Sequence, residues 1–188
     1  MGYGANTLII GSTSVIGSAI QLELQTIVRV KTAGRRNADY FFDLAEPRAQ
    51  LSTNEQFDTA ILVAADFGGP TEADLIRATQ TNVVGSLTAC QFAANAGAEH
   101  VILISSVFAS YEIGDAYFNA YSLTKRLSED VTKFYCQQKG IALTIVRPTQ
   151  IYDSDERCRT KQRLLYTIVD CARDGRDFTI SGTADPLE

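Results

Sequence analysis

The chain has one histidine, one methionine, four prolines and no tryptophan in 188 residues. With His100 alone, a multi-histidine metal site is excluded, and a Ser-His-Asp triad would have to be built on that residue. His100 precedes an apolar run and reads as a surface or capping residue. The cysteines, Cys90, Cys136, Cys158 and Cys171, show no CxxC spacing. A zinc knuckle or thioredoxin-like motif is therefore not expected, and they read as reduced, mostly buried thiols. No metal is expected. No apolar run reaches the ~18 residues of a membrane span. The N-terminus, MGYGANTLIIG, lacks the basic start and long apolar stretch of a signal peptide. The expectation is a cytoplasmic protein without a membrane partner. Basic residues are in deficit, 17 Lys+Arg against 22 Asp+Glu for a net charge of -5, which disfavours a nucleic-acid partner held on a basic face.

What is present is an ordinary globular composition, 45% hydrophobic and 21% charged. The length suits one domain, or one domain and part of a second. Apolar runs at Thr7–Gly11, Ile27–Val30, Tyr40–Asp43, Ala60–Ala65, Val101–Ser106 and Ile141–Val146 read as strands, several of them buried on both faces. Helical patterns fall between them. They cover 16–25, a stretch opened by Pro47 and running to about 55, 72–97 with a break near Gly85, and 118–138 ended by Gly140. A further amphipathic helix spans 161–174, stopped by Gly175, and Phe178–Ile180 reads as a last short strand. Strand and helix alternate six times, which predicts a doubly wound parallel sheet with helices on both faces. From Tyr152 the composition turns more charged, and YDSDERCRTKQR reads as an exposed loop before a small appendage. The expected division is 1–151 and 152–188.

Gly11-Ser-Thr-Ser-Val-Ile-Gly17 lies between the first strand and the first helix, where free N–H groups and the helix dipole suit a nucleotide pyrophosphate. Gly11 permits a tight turn and Gly17 a close helix–sheet approach. No Lys-Ser/Thr pair follows, so this is not a Walker A loop. Two glycines also suit a plain strand-to-helix turn with no ligand. After the second strand comes Lys31-Thr-Ala-Gly-Arg35-Arg36. No acidic residue stands there for a ribose 2′-hydroxyl, and the two arginines suit the 2′-phosphate of NADP. The alternative is a solvated basic loop. NADP(H) is favoured, with NAD(H) as the other choice.

Tyr121 and Lys125 are four apart in a helical pattern and so share one face. A nearby ammonium favours the phenolate, and a Tyr so tuned exchanges a proton with a carbonyl or alcohol oxygen at neutral pH. Lowering its pKa by roughly three units takes about 4 kcal/mol of differential stabilisation. Ser105 and Ser106 end the fifth strand, on the edge where open α/β sheets bind ligands. YxxxK alone occurs by chance in many helices. The ordered combination of glycine turn, double serine and YxxxK is far more specific.

These residues together resemble the short-chain dehydrogenase/reductase superfamily over almost the whole chain. The resemblance implies a Rossmann fold and an NAD(P)-dependent oxidoreductase or epimerase, with Tyr121 as acid/base, Lys125 assisting it and holding the nicotinamide ribose, and Ser106, ahead of Ser105, holding the reacting oxygen. Asn82 in Thr-Asn-Val-Val-Gly-Ser matches the residue that completes the tetrad through a water. Asp43 of Phe-Phe-Asp-Leu44 matches the adenine-contacting acid, and Ala64-Ala65 the end of strand four. Cofactor contacts are thus expected at Gly11, Ser14, Val15, Ile16, Gly17, Arg35, Arg36, Asp43, Leu44, Ala64, Ala65, Lys125 and Pro148.

Leu-Val-Ala-Ala65, Val-Arg-Pro148 with Ile151-Tyr152, and Ile180-Ser-Gly182 resemble the extended branch of sugar-nucleotide epimerases, dehydratases and ketoreductases. The short Ser106–Tyr121 spacing is closer to the single-domain branch. The sequence departs from the pattern at Ser14, where the extended branch has glycine, and in VFASYEIGD after Ser106. Extended members also continue well beyond the point matching Glu188, so the substrate part is expected to be incomplete. The implied partners are a small-molecule substrate such as a sugar nucleotide, and a second copy in a homodimer. The alternative is a non-catalytic nucleotide-binding sensor or scaffold. Asp66, Asp74 and Arg147 are given no catalytic role.

Overall fold

The computed structural model describes residues 5–46 and 53–179. Contacts divide the chain after Thr149 into two compact units. The first carries a six-stranded, all-parallel sheet. Its strands are β1 Asn6–Ile10, β2 Arg29–Gly34, β3 Tyr40–Phe41, β4 Thr59–Leu62, β5 His100–Ile104 and β6 Ala142–Val146, in the order β3-β2-β1-β4-β5-β6. The order reverses between β1 and β4, and ligands of such sheets bind at the carboxyl ends of the strands flanking that point.

The helices are α1 Val15–Leu24, α2 Glu72–Ala78, α3 Gly85–Asn95 and α4 Ala120–Lys139. On one face, Ile16, Ile20 and Leu24 of α1 pack over Ile9, Ile61, Val63 and Ile104. On the other, α3 and α4 bury Ala89, Cys90, Phe92, Ala93 and Cys136 against Leu8, Ile10, Leu62, Val101 and Leu103. Side chains of successive strand residues point to opposite faces, so a strand covered on both sides must be apolar throughout. β1 meets that demand with Leu8, Ile9 and Ile10, all at most 1% exposed.

Several element boundaries differ from the sequence reading. The second strand begins at Arg29. Ile27 and Val28 close the turn after α1 by donating to the Leu24 carbonyl, which places the polar Lys31–Gly34 in the sheet. The β2–β3 connection is held by Asp39, which accepts from the Thr32 N–H, the Thr32 hydroxyl and Lys31 Nζ. β4 ends at Leu62, before Ala64-Ala65.

The 72–97 helix does not break at Gly85. A π turn, Thr79–Val84, joins α2 to α3 in one continuous run. Gly85 instead meets Leu44, where an added Cβ would lie 2.7 Å from the Leu44 Cβ. Residues 53–55 are not helical, and the rest of the stretch from Pro47 lies outside the described residues. α4 ends as expected at Gly140, whose φ of 67° suits a left-handed cap.

The second unit contains α5, Arg163–Asp174. Its core residue is Tyr166, 1% exposed, whose hydroxyl donates to the Asp153 carbonyl at 3.0 Å. Tyr152 stacks on the same ring at 5.3 Å, and Arg159 lies over it at 4.9 Å while pairing with Glu156 and Asp170. Phe178 and Thr179 are in no strand; Ile180 and the Ile180-Ser-Gly182 phrase lie outside the described residues. No helix among the described residues is long and apolar enough to cross a membrane.

Candidate active site

The carboxyl ends of β1, β4 and β5 share one edge of the sheet, and nearly every sequence-derived candidate follows one of them. Gly11 ends β1 with φ +97°, and its N–H donates to the Ala33 carbonyl. A Cβ there would lie 2.5 Å from the Ala64 N and 2.6 Å from the Ala64 Cβ. A Cβ on Gly17 would overlap the Gly11 carbonyl oxygen. Both glycines are therefore required by the turn itself.

Ser14, standing in place of the expected glycine, is the N-cap of α1. Its hydroxyl accepts from the Gly17 N–H and donates to the Gly11 carbonyl, both at 3.0 Å. One of the free donors at this helix start is thus already taken. The N–H groups of Val15 and Ile16, in the first turn, have no acceptor within the helix.

Arg35 and Arg36 follow β2 directly, are exposed, and pair with no acidic side chain among the described residues. Asp43 sits after β3 in a turn closed by the Ala45 N–H onto its own carboxylate at 3.0 Å, and Leu44 contacts Gly85. Ala64 donates its N–H to the Ile10 carbonyl, joining the ends of β1 and β4. Ala65 is half-buried beside it. The Pro148 carbonyl accepts from the Val107 N–H at 3.1 Å, bringing the segment after β6 against the segment after β5.

Ser106 is 7% exposed and caps the 3-10 turn Val107–Ser110, its hydroxyl accepting from the Phe108 N–H. Asn119 caps α4 by accepting from the N–H groups of Tyr121 and Ser122, which sets Tyr121 in the first turn. The phenol reaches the Ser106 side chain. Burial pushes it above its ordinary pKa, and the hydrogen bond with Ser106 works in the opposite direction. The sequence reading had Lys125 lowering this pKa; the chain's own groups produce the reverse. Lys125 is 2% exposed and donates from Nζ to the Ile104 carbonyl at 2.8 Å. Burial brings its ammonium down to about 8, against the pull of Glu129.

Asn82 lies in the π turn and is 2% exposed. Its side chain accepts from the Asp66 N–H at 2.7 Å and donates to the Asp66 carbonyl and to Thr124 Oγ1. Its own carbonyl accepts from Ser86. These bonds fix the loop after β4 to α4. Asp66, in the loop after β4, and Asp74, which lies in the first turn of α2 and not in a loop, both pair with Arg77; hydrogen bonding to that guanidinium holds Asp66 below the usual carboxylate range.

Three participants escaped the sequence reading. Phe67 stacks on Tyr121 at 5.0 Å, and Phe108 lies 6.0 Å from the same ring. Glu129 is 1% exposed and accepts from Ser105 at 2.6 Å and from Arg147 at 2.8 and 2.6 Å. Its spacing from Lys125, four residues on, was the available signal. Nothing in the sequence marks Phe67.

The family model for the NAD dependent epimerase/dehydratase family matches residues 7–187. No curated protein matches the chain. Among solved structures, a UDP-glucose 4-epimerase of Thermotoga maritima with UDP-glucose aligns at TM-score 0.71 and 17% identity, over 96% of this chain and 67% of that one. The RMD protein of Pseudomonas aeruginosa complexed with NADPH aligns at 0.68 and 18%, over 95% and 64%. A short-chain dehydrogenase/reductase superfamily protein of Agrobacterium tumefaciens with bound NAD aligns at 0.66 and 20%, over 93% and 63%. The chain thus spans about two thirds of the length of these three. By the family match over residues 7–187, the chain belongs to the NAD dependent epimerase/dehydratase family, and the solved structures share its Rossmann-type sheet.

Proposed function

We propose that the chain is an NAD(P)-dependent oxidoreductase or epimerase acting at a carbonyl or hydroxyl carbon. The observation that carries this reading is the placement of the Tyr121 phenol beside Ser106 at the carboxyl edge of the sheet, with Lys125 one turn along the same helix.

The residues present fit a dinucleotide. The first helix opens directly beneath the β1–β4 switch point, its first-turn donors at Val15 and Ile16 are available to a pyrophosphate, and Arg35 and Arg36 stand at the end of β2. Asp43, Leu44, Ala64, Ala65 and Pro148 would border the nucleotide, and Lys125 its ribose. The two exposed arginines favour NADP(H) over NAD(H). When bound, the nicotinamide supplies the hydride chemistry.

The chain's own residues handle the oxygen and its proton. Ser106 holds the reacting oxygen, and the Tyr121 hydroxyl gives it a proton on reduction or takes one on oxidation. Lys125, as an ammonium, favours the phenolate when Tyr121 has given its proton up. Phe67 and Phe108 shield the phenol from water. Asn82 holds the loop after β4 in place and would position a water for a proton relay with Lys125.

A sugar nucleotide is the favoured substrate class, supported by the UDP-glucose in the Thermotoga maritima epimerase of the same fold. A homodimer through α4 belongs to the same reading, with Phe134 and Leu127 exposed on that helix. So does a cytoplasmic location, in keeping with four free thiols.

A second reading, a nucleotide-binding sensor or scaffold without turnover, has one observation in its favour: the Ser14 hydroxyl occupies the Gly17 N–H that a phosphate would otherwise use. Titration with NADPH and NADH, followed by a carbonyl and sugar-nucleotide turnover screen, tests both. Micromolar binding with turnover supports the enzyme, binding without turnover supports the sensor, and no binding of either nucleotide overturns both.

A further inference from the structure

We propose that Glu129 is a positioning residue for the site, its buried carboxylate locking the face of α4 that carries Lys125 onto the ends of β5 and β6. This rests on the functional reading above and assigns a task to a residue that touches neither substrate nor cofactor.

The carboxylate has three side chains hydrogen-bonded to it or paired with it from beyond its own turn of helix. From the end of β5, Ser105 donates at 2.6 Å, one residue before Ser106. From the end of β6, Arg147 donates through Nε and Nη2, a two-pronged pairing that fixes orientation as well as charge. Arg147 also reaches Ser110 at 3.2 Å, at the far end of the 3-10 turn that Ser106 opens. From α4 itself, Lys133 lies 3.6 Å away, paired also with Asp130. One carboxylate therefore joins the two strand ends and the helix that together carry Ser106, Tyr121 and Lys125.

The charge matters as well as the geometry. Burial works to raise the Glu129 pKa, yet the bonds from Arg147 and Ser105 hold it below the carboxylate range, so Glu129 is an anion. Its nearest helical neighbour on the inner face is Lys125, four residues back, whose ammonium it stabilises against burial. The hydrogen-bond acceptor of Lys125 itself is neutral, the Ile104 carbonyl from β5. The groups through which α3 and the π turn bond to α4 are neutral too, Ser86 to Ser128 and Asn82 to Thr124. Among the described residues the charge acting on Lys125 is that of Glu129, whose carboxylate is itself paired with Arg147 and Lys133.

This makes opposite demands on two substitutions. In Glu129→Gln the hydrogen-bonding shape is kept and the negative charge is gone, so Lys125 loses its counter-charge. In Arg147→Met the carboxylate stays and its neutralising partner is gone, so Lys125 feels it more strongly. A merely structural ion pair would lower thermal stability in both and move the Lys125 titration in neither.

The experiment is NMR titration of the full chain labelled at lysine side chains, with the Lys125 signal assigned by its loss in Lys125→Met. The wild-type midpoint is expected near 8. Glu129→Gln should shift it down by about one pH unit, and Arg147→Met should shift it up. An unchanged midpoint in folded Glu129→Gln, or shifts of the same sign in the two variants, overturns the proposal. If Glu129→Gln does not fold, an unchanged midpoint in Arg147→Met overturns it alone. The titration needs no nucleotide, so failure of the wild-type chain to bind NADPH or NADH would strike the functional reading without altering this result.

Discussion

Gly11 and Ala64 approach so closely that the end of β1 and the end of β4 form a single joint: a Cβ on Gly11 would fall 2.5 Å from the Ala64 backbone nitrogen. The same glycine holds φ at +97°, a conformation that side chains oppose. Gly11→Ala is therefore expected to destabilise the fold on the order of 3 kcal/mol, combining backbone strain with overlap. Chemical denaturation of the two proteins measures this directly.

Ser14 offers the inverse case. Its hydroxyl caps α1, so Ser14→Ala should cost about 1 kcal/mol, whereas Ser14→Gly should cost only a few tenths. Ser14→Gly also leaves the Gly17 N–H without its intramolecular acceptor. If the turn holds a pyrophosphate, the glycine variant should bind NADPH severalfold more tightly while melting at nearly the wild-type temperature. Equal or weaker affinity would place the phosphate elsewhere.

Lys125 should weaken the protein it serves. Its pKa falls from the free lysine value to about 8 on folding, chiefly through burial. Between about 8 and 10.5 the unfolded chain therefore binds more protons than the folded one, and stability rises with pH across that window. Below it the full penalty applies, up to ~3 kcal/mol. Lys125→Met is expected to melt higher than wild type at pH 7, with the gap closing as pH approaches 10. A gap independent of pH would mean that Lys125 is not titrating as described.

Much of this was readable in the residues, for physical reasons. β1, β4 and β5 are covered on both faces, so their sequences are continuous apolar runs and cannot be mistaken. β2 lies next to the sheet edge formed by β3 and carries Lys31 and Thr32, whose polar groups are satisfied by Asp39; the predicted strand Ile27–Val30 meets it only at Arg29-Val30, because the polar Lys31–Gly34 does not read as a strand. The serine, tyrosine and lysine were found because helical spacing and strand ends fix their locations. Glu129, Phe67 and the Asn82–Asp66 link depend on contacts between elements far apart in sequence, which no local pattern encodes. The electrostatics of Tyr121 went the other way from the reading because a one-turn spacing from Lys125 says nothing of burial.

Tyr121→Phe should leave the fold intact and remove the proton donor. The expected outcome is loss of turnover with NADPH affinity within about twofold of wild type, read by nucleotide fluorescence and a steady-state assay. Retention of most of the rate would take the acid/base role away from Tyr121.

Asn82→Ala strands several buried partners at once. The Asp66 N–H and carbonyl and the Thr124 hydroxyl each lose a partner. At about 1–3 kcal/mol for a buried group left unsatisfied, the variant should fall well below wild-type stability. Hydrogen exchange should show the loss concentrated at residues 64–69, the loop that this side chain ties to α4.

The π turn at Thr79–Val84 has the arithmetic of a one-residue surplus in an otherwise regular rod. Each residue of an α-helix advances the side-chain direction by about 100°. If this stretch wound as regular α-helix with all its residues kept, everything after it would rotate by about that amount. Ser86, Ala89, Cys90 and Ala93 are buried against the sheet and α4, and that facing would be lost. The surplus residue thus acts as a phase setter, letting one helix present Asn82 to the loop after β4 and, a few residues later, an apolar stripe to the core.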